Sequence, residues 1–327
     1  MVYIIGFLFC ALVIFFAGRK LSYYGDLLAV VTGISKGWIG IILMASVTSL
    51  PELMVGISSV SIVGSADLAV GDIIGSCAFN LGILAVLDAF TPKKIPLFGI
   101  ASQTHILNAG LGIILITLVG LTMFIPHHVA ITPWIALSSV IFIVVYLISI
   151  RIIYYNEQNH SESGPHQITP NNITSKKSII KNYIIFSLVI IIAALALPFF
   201  AEHIAEMTGF KKSFVGTFFL AVSTSLPEVA VSIAAVRMGS IDMAVGNLLG
   251  SNIFNILILA IDDLFYTNGL LLQDASSSHL ISILSTIIMS AIVVIGLSYH
   301  AKGKRYFLAW DAALIFIIYF INLILLF

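Results

Sequence analysis

Apolar runs of roughly 17 to 25 residues recur ten times along this chain, each long enough, at about 1.5 Å of rise per residue, for a helix to cross a hydrocarbon core of about 30 Å. They fall near 2–18, 37–61, 67–90, 98–124, 130–152, 183–201, 212–236, 241–265, 278–298 and 306–327. A helix satisfies its backbone polar groups within itself, as lipid demands. The expected fold is therefore an all-α integral membrane protein of ten transmembrane helices. Composition agrees, with 60% hydrophobic and 9% charged residues among 327. A net charge of zero offers no nucleic-acid surface, and the connections are too short for a second domain. Cys10 and Cys77 lie inside apolar spans and read as packing residues rather than a disulfide. The first run has no basic leader and no polar cleavage segment, so it reads as the first helix rather than a signal peptide.

Orientation follows from Lys and Arg. With the N-terminus outside, thirteen of the fifteen basic residues fall in inner loops and only Lys211 and Lys212 lie outside. The positive-inside rule favours that arrangement, with both termini facing out of the cell membrane. Tyr23, Tyr24, Trp38, Trp134 and Trp310 suit interfacial anchoring.

The chain contains an internal repeat. SVTSLPELMV at 46–55 returns as VSTSLPEVAV at 222–231, and ADLAVGDIIGSCAFNLGILAVLDAF from Ala66 returns as IDMAVGNLLGSNIFNILILAIDDLF from Ile241. The offsets are 176 and 175, so about 45 residues have been duplicated. Five spans separate equivalent helices, so the copies run through the membrane in opposite directions, as inverted five-helix repeats over 1–152 and 183–327. Residues 153–182 form the long polar connection and are expected to be a flexible cytoplasmic linker. Asn172 begins a glycosylation sequon, which an inner-face loop does not present to that machinery.

Each repeat gathers oxygen at mid-membrane. Pro51 and Pro227 lack an N–H, so the carbonyls of Val47 and Ser223 lose their helical donors. A carbonyl left free in lipid costs several kcal/mol unless a helix, water or cation takes it. Beside them stand the hydroxyls of Thr48, Ser49, Thr224 and Ser225 and the carboxylates of Glu52 and Glu228. Ser76 with Asn80, and Ser251 with Asn255, are spaced four apart and share a helix face. Gly71, Gly75, Gly246 and Gly250 are expected to let helices approach closely. An all-oxygen set suits Ca²⁺ or Na⁺, whereas Zn²⁺ or copper would want His and Cys. Two buried carboxylates with no Lys or Arg at their level need a divalent ion, several monovalent ions or protons. A site that takes alternative loads and is unstable without one has the logic of an exchanger.

These paired motifs resemble the two alpha-repeats of the Na⁺/Ca²⁺ exchanger family, within the cation/Ca²⁺ antiporter superfamily, over roughly 40–90 and 214–265. By motif position the resemblance implies an ion site from Glu52, Glu228, Thr48, Ser49, Thr224, Ser225, Ser76, Asn80, Ser251 and Asn255, with the carbonyls of Ala45 and Ala221. It also implies alternating access in which the first and sixth helices slide past a relatively fixed core. The transported ions would be Ca²⁺ and Na⁺ or H⁺, with no cofactor, and the chain would work as a monomer in the lipid bilayer. The short linker leaves no room for the regulatory Ca²⁺-binding domains of some relatives.

Three departures from the family pattern involve five positions. Val47 and Ser223 replace Gly before Thr-Ser, Asn255 stands where many members have Asp, and Asp72 and Cys77 replace amides in the first repeat. Asp72 lies on nearly the same face as Ser76 and Asn80, and reads as either a third carboxylate at the outer mouth or a structural acid. Asp88, Asp262 and Asp263 read as residues closing their helices at the membrane boundary. Other functions use similar parts: an H⁺-coupled or other-cation antiporter, a channel, or an intramembrane hydrolase with Ser49 or Ser225 as nucleophile. The last lacks a nearby His or Lys as base.

Overall fold

The computed structural model describes residues 2–32, 47–91, 95–125, 129–160, 176–237, 239–299, 303–304 and 307–327. The helices, in chain order, are α1 (Val2–Thr32), α2 (Leu50–Ser58), α3 (Ala66–Phe90), α4 (Leu97–Ile100), α5 (Thr104–Phe124), α6 (Leu137–His160) and α7 (Lys176–Thr208). There follow α8 (Lys212–Phe214), α9 (Ala221–Thr224), α10 (Leu226–Arg237), α11 (Ile241–Phe265), α12 (Leu271–Asp274), α13 (His279–Tyr299) and α14 (Trp310–Leu326). Two π-helical segments interrupt the pattern, Ser59–Val63 after α2 and Val215–Leu220 between α8 and α9. Among the described residues seven helices are long and apolar enough to span a membrane, and the bent run from Lys212 to Arg237 makes an eighth. This is an all-α, multi-pass membrane protein.

Burial separates the helices into a centre and a periphery. The most apolar stretches of α3 and α11 are 78% and 72% buried, against 28–50% for the other long helices. A helix apolar on every side belongs inside a bundle, and α3 and α11 are the central pair. The periphery turns apolar side chains outward, including Phe9 and Phe16 on α1 and Ile192 on α7, as a lipid-facing surface does. Along their length α1 and α7 pack together, burying Phe7, Cys10 and Ile14 against Ala194, Leu197 and Ala201. Gly18 brings α1 against Pro227, where an added Cβ would lie 2.9 Å from the Pro227 Cβ.

Small residues set the tightest crossing. A Cβ at Gly71 would lie 3.0 Å from the Gly216 Cα, and one at Gly75 would lie 2.6 Å from the Thr217 Cα. α3 therefore meets the second π segment backbone to backbone. Gly246 differs from expectation, because a Cβ there would meet only the His105 ring, at 3.3 Å.

Polar clamps recur in matched pairs. At the end of α3, Asp88 accepts the Leu97 N–H at 2.7 Å and the Ala309 N–H at 2.8 Å, and Lys304 lies 3.2 Å away. At the end of α11, Asp263 accepts the Leu271 N–H at 3.1 Å, the Ala136 N–H at 3.0 Å and the Ser139 hydroxyl at 2.6 Å. The starts of the same helices are held by histidine: His279 to Asp67 at 3.0 Å and His105 to Asp242 at 3.2 Å. Asp67 and Asp242 also accept the Ser276 and Ser102 N–H groups, each at 2.6 Å. Backbone donors at chain reversals are satisfied by carboxylates, so these acids position helices.

Several sequence expectations change. α1 and α7 are much longer than the spans assigned to them, and α6 and α7 take up 153–160 and 176–182 of the expected linker. The fifth span begins not at 130 but after a two-stranded hairpin, Ala130–Thr132 with Ile135–Ala136. The fourth is broken at Ser102, between α4 and α5. Cys10 and Cys77 are free and buried. Tyr23, Trp134 and Trp310 are exposed, as anchors would be. Ala45, Trp38 and the Asn172 sequon lie outside the described residues.

Candidate ion-binding site

The two prolines break their helices alike. Ser49 and Ser225 take up φ/ψ of −88°/13° and −82°/8°, in the sparsely used region beside the helical well, and α2 and α10 restart at the next residue. Leu53 N–H bonds the Ser49 carbonyl and Val229 N–H bonds the Ser225 carbonyl, each at 3.2 Å. Around Ser225 the chain turns by 47°. Val47 and Ser223 in place of glycine therefore permit the break, with the Ser223 hydroxyl bonding back to the Phe219 carbonyl at 2.7 Å.

Each broken helix reaches the carboxylate of the other. Ser49 Oγ donates to Glu228 Oε1 at 3.2 Å, and Ser225 Oγ donates to Glu52 Oε1 at 2.9 Å. Thr48, beside Ser49, is buried as well. From Ser225 the network continues to Ser76 Oγ at 3.1 Å, from Ser76 to Thr224 Oγ1 at 3.4 Å, and from Thr224 to Asp72 Oδ1 at 3.0 Å. Ten of the side chains proposed from sequence, together with Asp72, are 0 or 1% exposed. They converge where α2, α3, α9, α10 and α11 meet.

The amides form a second layer. Asn80 Nδ2 donates to Asn252 Oδ1 at 3.0 Å, Asn252 Nδ2 to the Cys77 carbonyl at 3.1 Å, and Asn255 Nδ2 to Cys77 Sγ at 3.7 Å. With their nitrogens engaged in this way, Asn80 and Asn255 have carbonyl oxygens left over. Asn252 was not singled out by the sequence reading, although it is the Asn of GSN and ties the two central helices together. Ala221 is buried, and its carbonyl accepts the Ser225 N–H at 3.1 Å and the Thr224 hydroxyl at 3.2 Å.

One property joins these residues. Glu52 Oε2, Glu228 Oε2, Asp72 Oδ2, Asn80 Oδ1, Asn255 Oδ1 and Ser251 Oγ are all buried without a hydrogen-bond partner among the described residues. Orphaned buried polar atoms are rare in folded proteins and each costs about 1–3 kcal/mol, more when charged. Here six oxygens, three of them from carboxylates, are left over on the segments that meet at the site. Hard cations coordinate such oxygens, six to eight at a time for Ca²⁺.

Comparison with known proteins shows the family. The family model described as sodium/calcium exchanger protein matches residues 2–155 and 182–327. Sodium/calcium exchanger MaX1 of Methanosarcina acetivorans is 36% identical over 149 residues, 44% of this chain and 40% of that protein. The uncharacterized membrane protein MJ0091 of Methanocaldococcus jannaschii is 28% identical over 253 residues, 74% of this chain and 77% of that protein. Among solved structures, the sodium-calcium exchanger NCX_Mj soaked in Na⁺ superimposes with a TM-score of 0.61 at 23% identity, covering 98% of this chain and 97% of that one. Native YfkE gives a TM-score of 0.69 at 16% identity, covering 98% and 91%. At such identities these two structures speak for the fold alone.

Proposed function

Because this chain belongs to the sodium/calcium exchanger family, we propose that it is a secondary active antiporter that expels Ca²⁺ from the cell as Na⁺ enters. The observation that carries this reading is the set of buried oxygens on Glu52, Glu228, Asn80, Asn255 and Ser251 that have no partner among the described residues. Two carboxylates carry the charge that one Ca²⁺ balances, and Na⁺ ions on the same oxygens balance it as well. Neither load leaves the carboxylates ionised and unpaired, and the form without a cation does. That difference couples the two fluxes, because the carrier crosses between its states only when loaded.

The alternating-access part of the proposal assigns the movement to α1 and α7. They pack on one another, and α1 touches the Pro227 break through Gly18. Ten transmembrane helices in two inverted halves fit the reciprocal Ser49–Glu228 and Ser225–Glu52 bonds, the Asp88 and Asp263 clamps, and the two His–Asp pairs. Each contact has its counterpart in the other half. The orientation that carries 153–182 inside and both termini outside rests on the distribution of Lys and Arg. In this reading the chain acts as a monomer in the cell membrane.

The coupling ion is tested with protein reconstituted in vesicles. An imposed Na⁺ gradient at clamped pH on both sides should drive ⁴⁵Ca²⁺ uptake. Uptake that ignores Na⁺ and follows a pH gradient would replace Na⁺ coupling with H⁺ coupling. Currents far above carrier turnover would make the protein a channel.

A further inference from the structure

Asp262 and Asp263 are neighbours with opposite circumstances. Asp263 spends both carboxylate oxygens on the Ala136, Ser139 and Leu271 donors. Asp262 is 0% exposed, and neither of its oxygens has a partner among the described residues. Its carboxylate presses on α2 at Gly56, where an added Cβ would collide with both oxygens. A helix-closing role uses a carboxylate to cap backbone or meet water, and Asp262 does neither.

Helical spacing places it in line with the central site. Along α2 and into the π segment that continues it, Glu52, Gly56 and Ser59 are spaced four and three apart and fall on one stripe. On α11, Ser251, Asn255 and Asp262 occupy another, since eleven residues make about three turns. On α3 the corresponding stripe is Asn80, Ser76 and Asp72, read towards the start of that helix. The three stripes share polarity: each runs from the Glu52 and Glu228 level towards the membrane face where α3 begins and α11 ends. Ser59 Oγ is also buried and without a partner among the described residues, as is Asp72 Oδ2. Gly56 opens the space that the Asp262 carboxylate fills.

We propose that Asp262, with Ser59 and Asp72, forms a second cation subsite between the central site and that face, taking one Ca²⁺ on its way to or from Glu52 and Glu228. This rests on the exchange reading above. The two carboxylates supply two negative charges, and Ser59 supplies a neutral oxygen. Asp72 joins the subsites, because its other oxygen accepts the Thr224 hydroxyl of the central network. In the proposed orientation the subsite lies on the outer side. A departing Ca²⁺ then has a carboxylate to receive it before it reaches water.

Equilibrium ⁴⁵Ca²⁺ binding to the purified full-length protein tests this. The wild type should show two classes of site. E52Q combined with E228Q should remove one class and leave the other, and Asp262→Asn should do the converse, keeping the central class. S59A should weaken the outer class alone, by about tenfold. If Asp262→Asn leaves both classes unchanged, the aspartate is a protonated carboxyl packed on Gly56 and the proposal is overturned. If Asp262→Asn disturbs both, S59A decides, and an unaltered outer class there overturns it. Absence of any wild-type Ca²⁺ binding would count against the exchange reading itself, whereas a single class lost in E52Q/E228Q and untouched by Asp262→Asn would count only against the subsite.

Discussion

At the scale of single residues, the site is a set of hydroxyls that hold carboxylates in place and a set of oxygens left for a cation. Among the described residues, Ser225 bonds both Glu52 and Ser76 through its side chain, whereas Ser49 bonds only Glu228. Ser225→Ala should therefore weaken ⁴⁵Ca²⁺ binding more than Ser49→Ala, with losses of about a hundredfold and about tenfold for hydrogen bonds to charged groups worth roughly 1.5–3 kcal/mol. Equal effects would contradict the asymmetry. These residues were legible because the motif occurs twice: a Pro-Glu pair buried in an apolar span is ambiguous alone and specific when repeated. Asp262 escaped that logic. Its counterpart in the first copy is Leu87, so the repeat did not mark it, and a position three residues from the end of a span reads as boundary. Only packing reveals that it faces Gly56 rather than water. Asn252 escaped for another reason, since its function is to occupy the nitrogen of Asn80 and the carbonyl of Cys77.

At the scale of elements, the breaks and the close crossing govern movement. Pro227→Ala returns a donor to the Ser223 carbonyl and removes the steric cause of the bend, so helix should continue through Ser225. Exchange should fall while the protein remains folded, measured as vesicle flux beside size-exclusion behaviour; unchanged flux would separate the bend from transport. Gly75→Ala drives a methyl against the Thr217 backbone. It should lower stability by about 1–3 kcal/mol, seen as a lower thermal midpoint in detergent, as overpacking does. The breaks were legible because proline has a fixed consequence. The hairpin at 130–136 was not, since a short run of Ile, Thr and Trp is apolar enough to pass for the start of a span. The lengths of α1 and α7 were hidden for the complementary reason, that hydropathy marks the lipid-bound part of a helix and not its polar extensions.

At the scale of the whole molecule, the central pair α3 and α11 is clamped at both ends by matched acids, while α1 and α7 pack outside it. That division into a pinned core and a peripheral pair suits a carrier. The all-α membrane class and the repeat could be read from hydropathy and self-similarity, but which helices are central required burial. The proposed orientation predicts that a membrane-impermeant maleimide labels Ser163→Cys only from the cytoplasmic side, since Cys10 and Cys77 are buried; labelling from outside would invert the assignment. The central claim is that one cation site, shared by Glu52 and Glu228, carries the exchange. Na⁺-gradient-driven ⁴⁵Ca²⁺ uptake into vesicles, compared among wild type, Glu52→Gln and Glu228→Gln at equal reconstitution, tests it most directly. The account predicts uptake in the wild type and a loss of at least about a hundredfold in each variant, as removal of a charged ligand from a buried site implies. Uptake retained in either variant would contradict it.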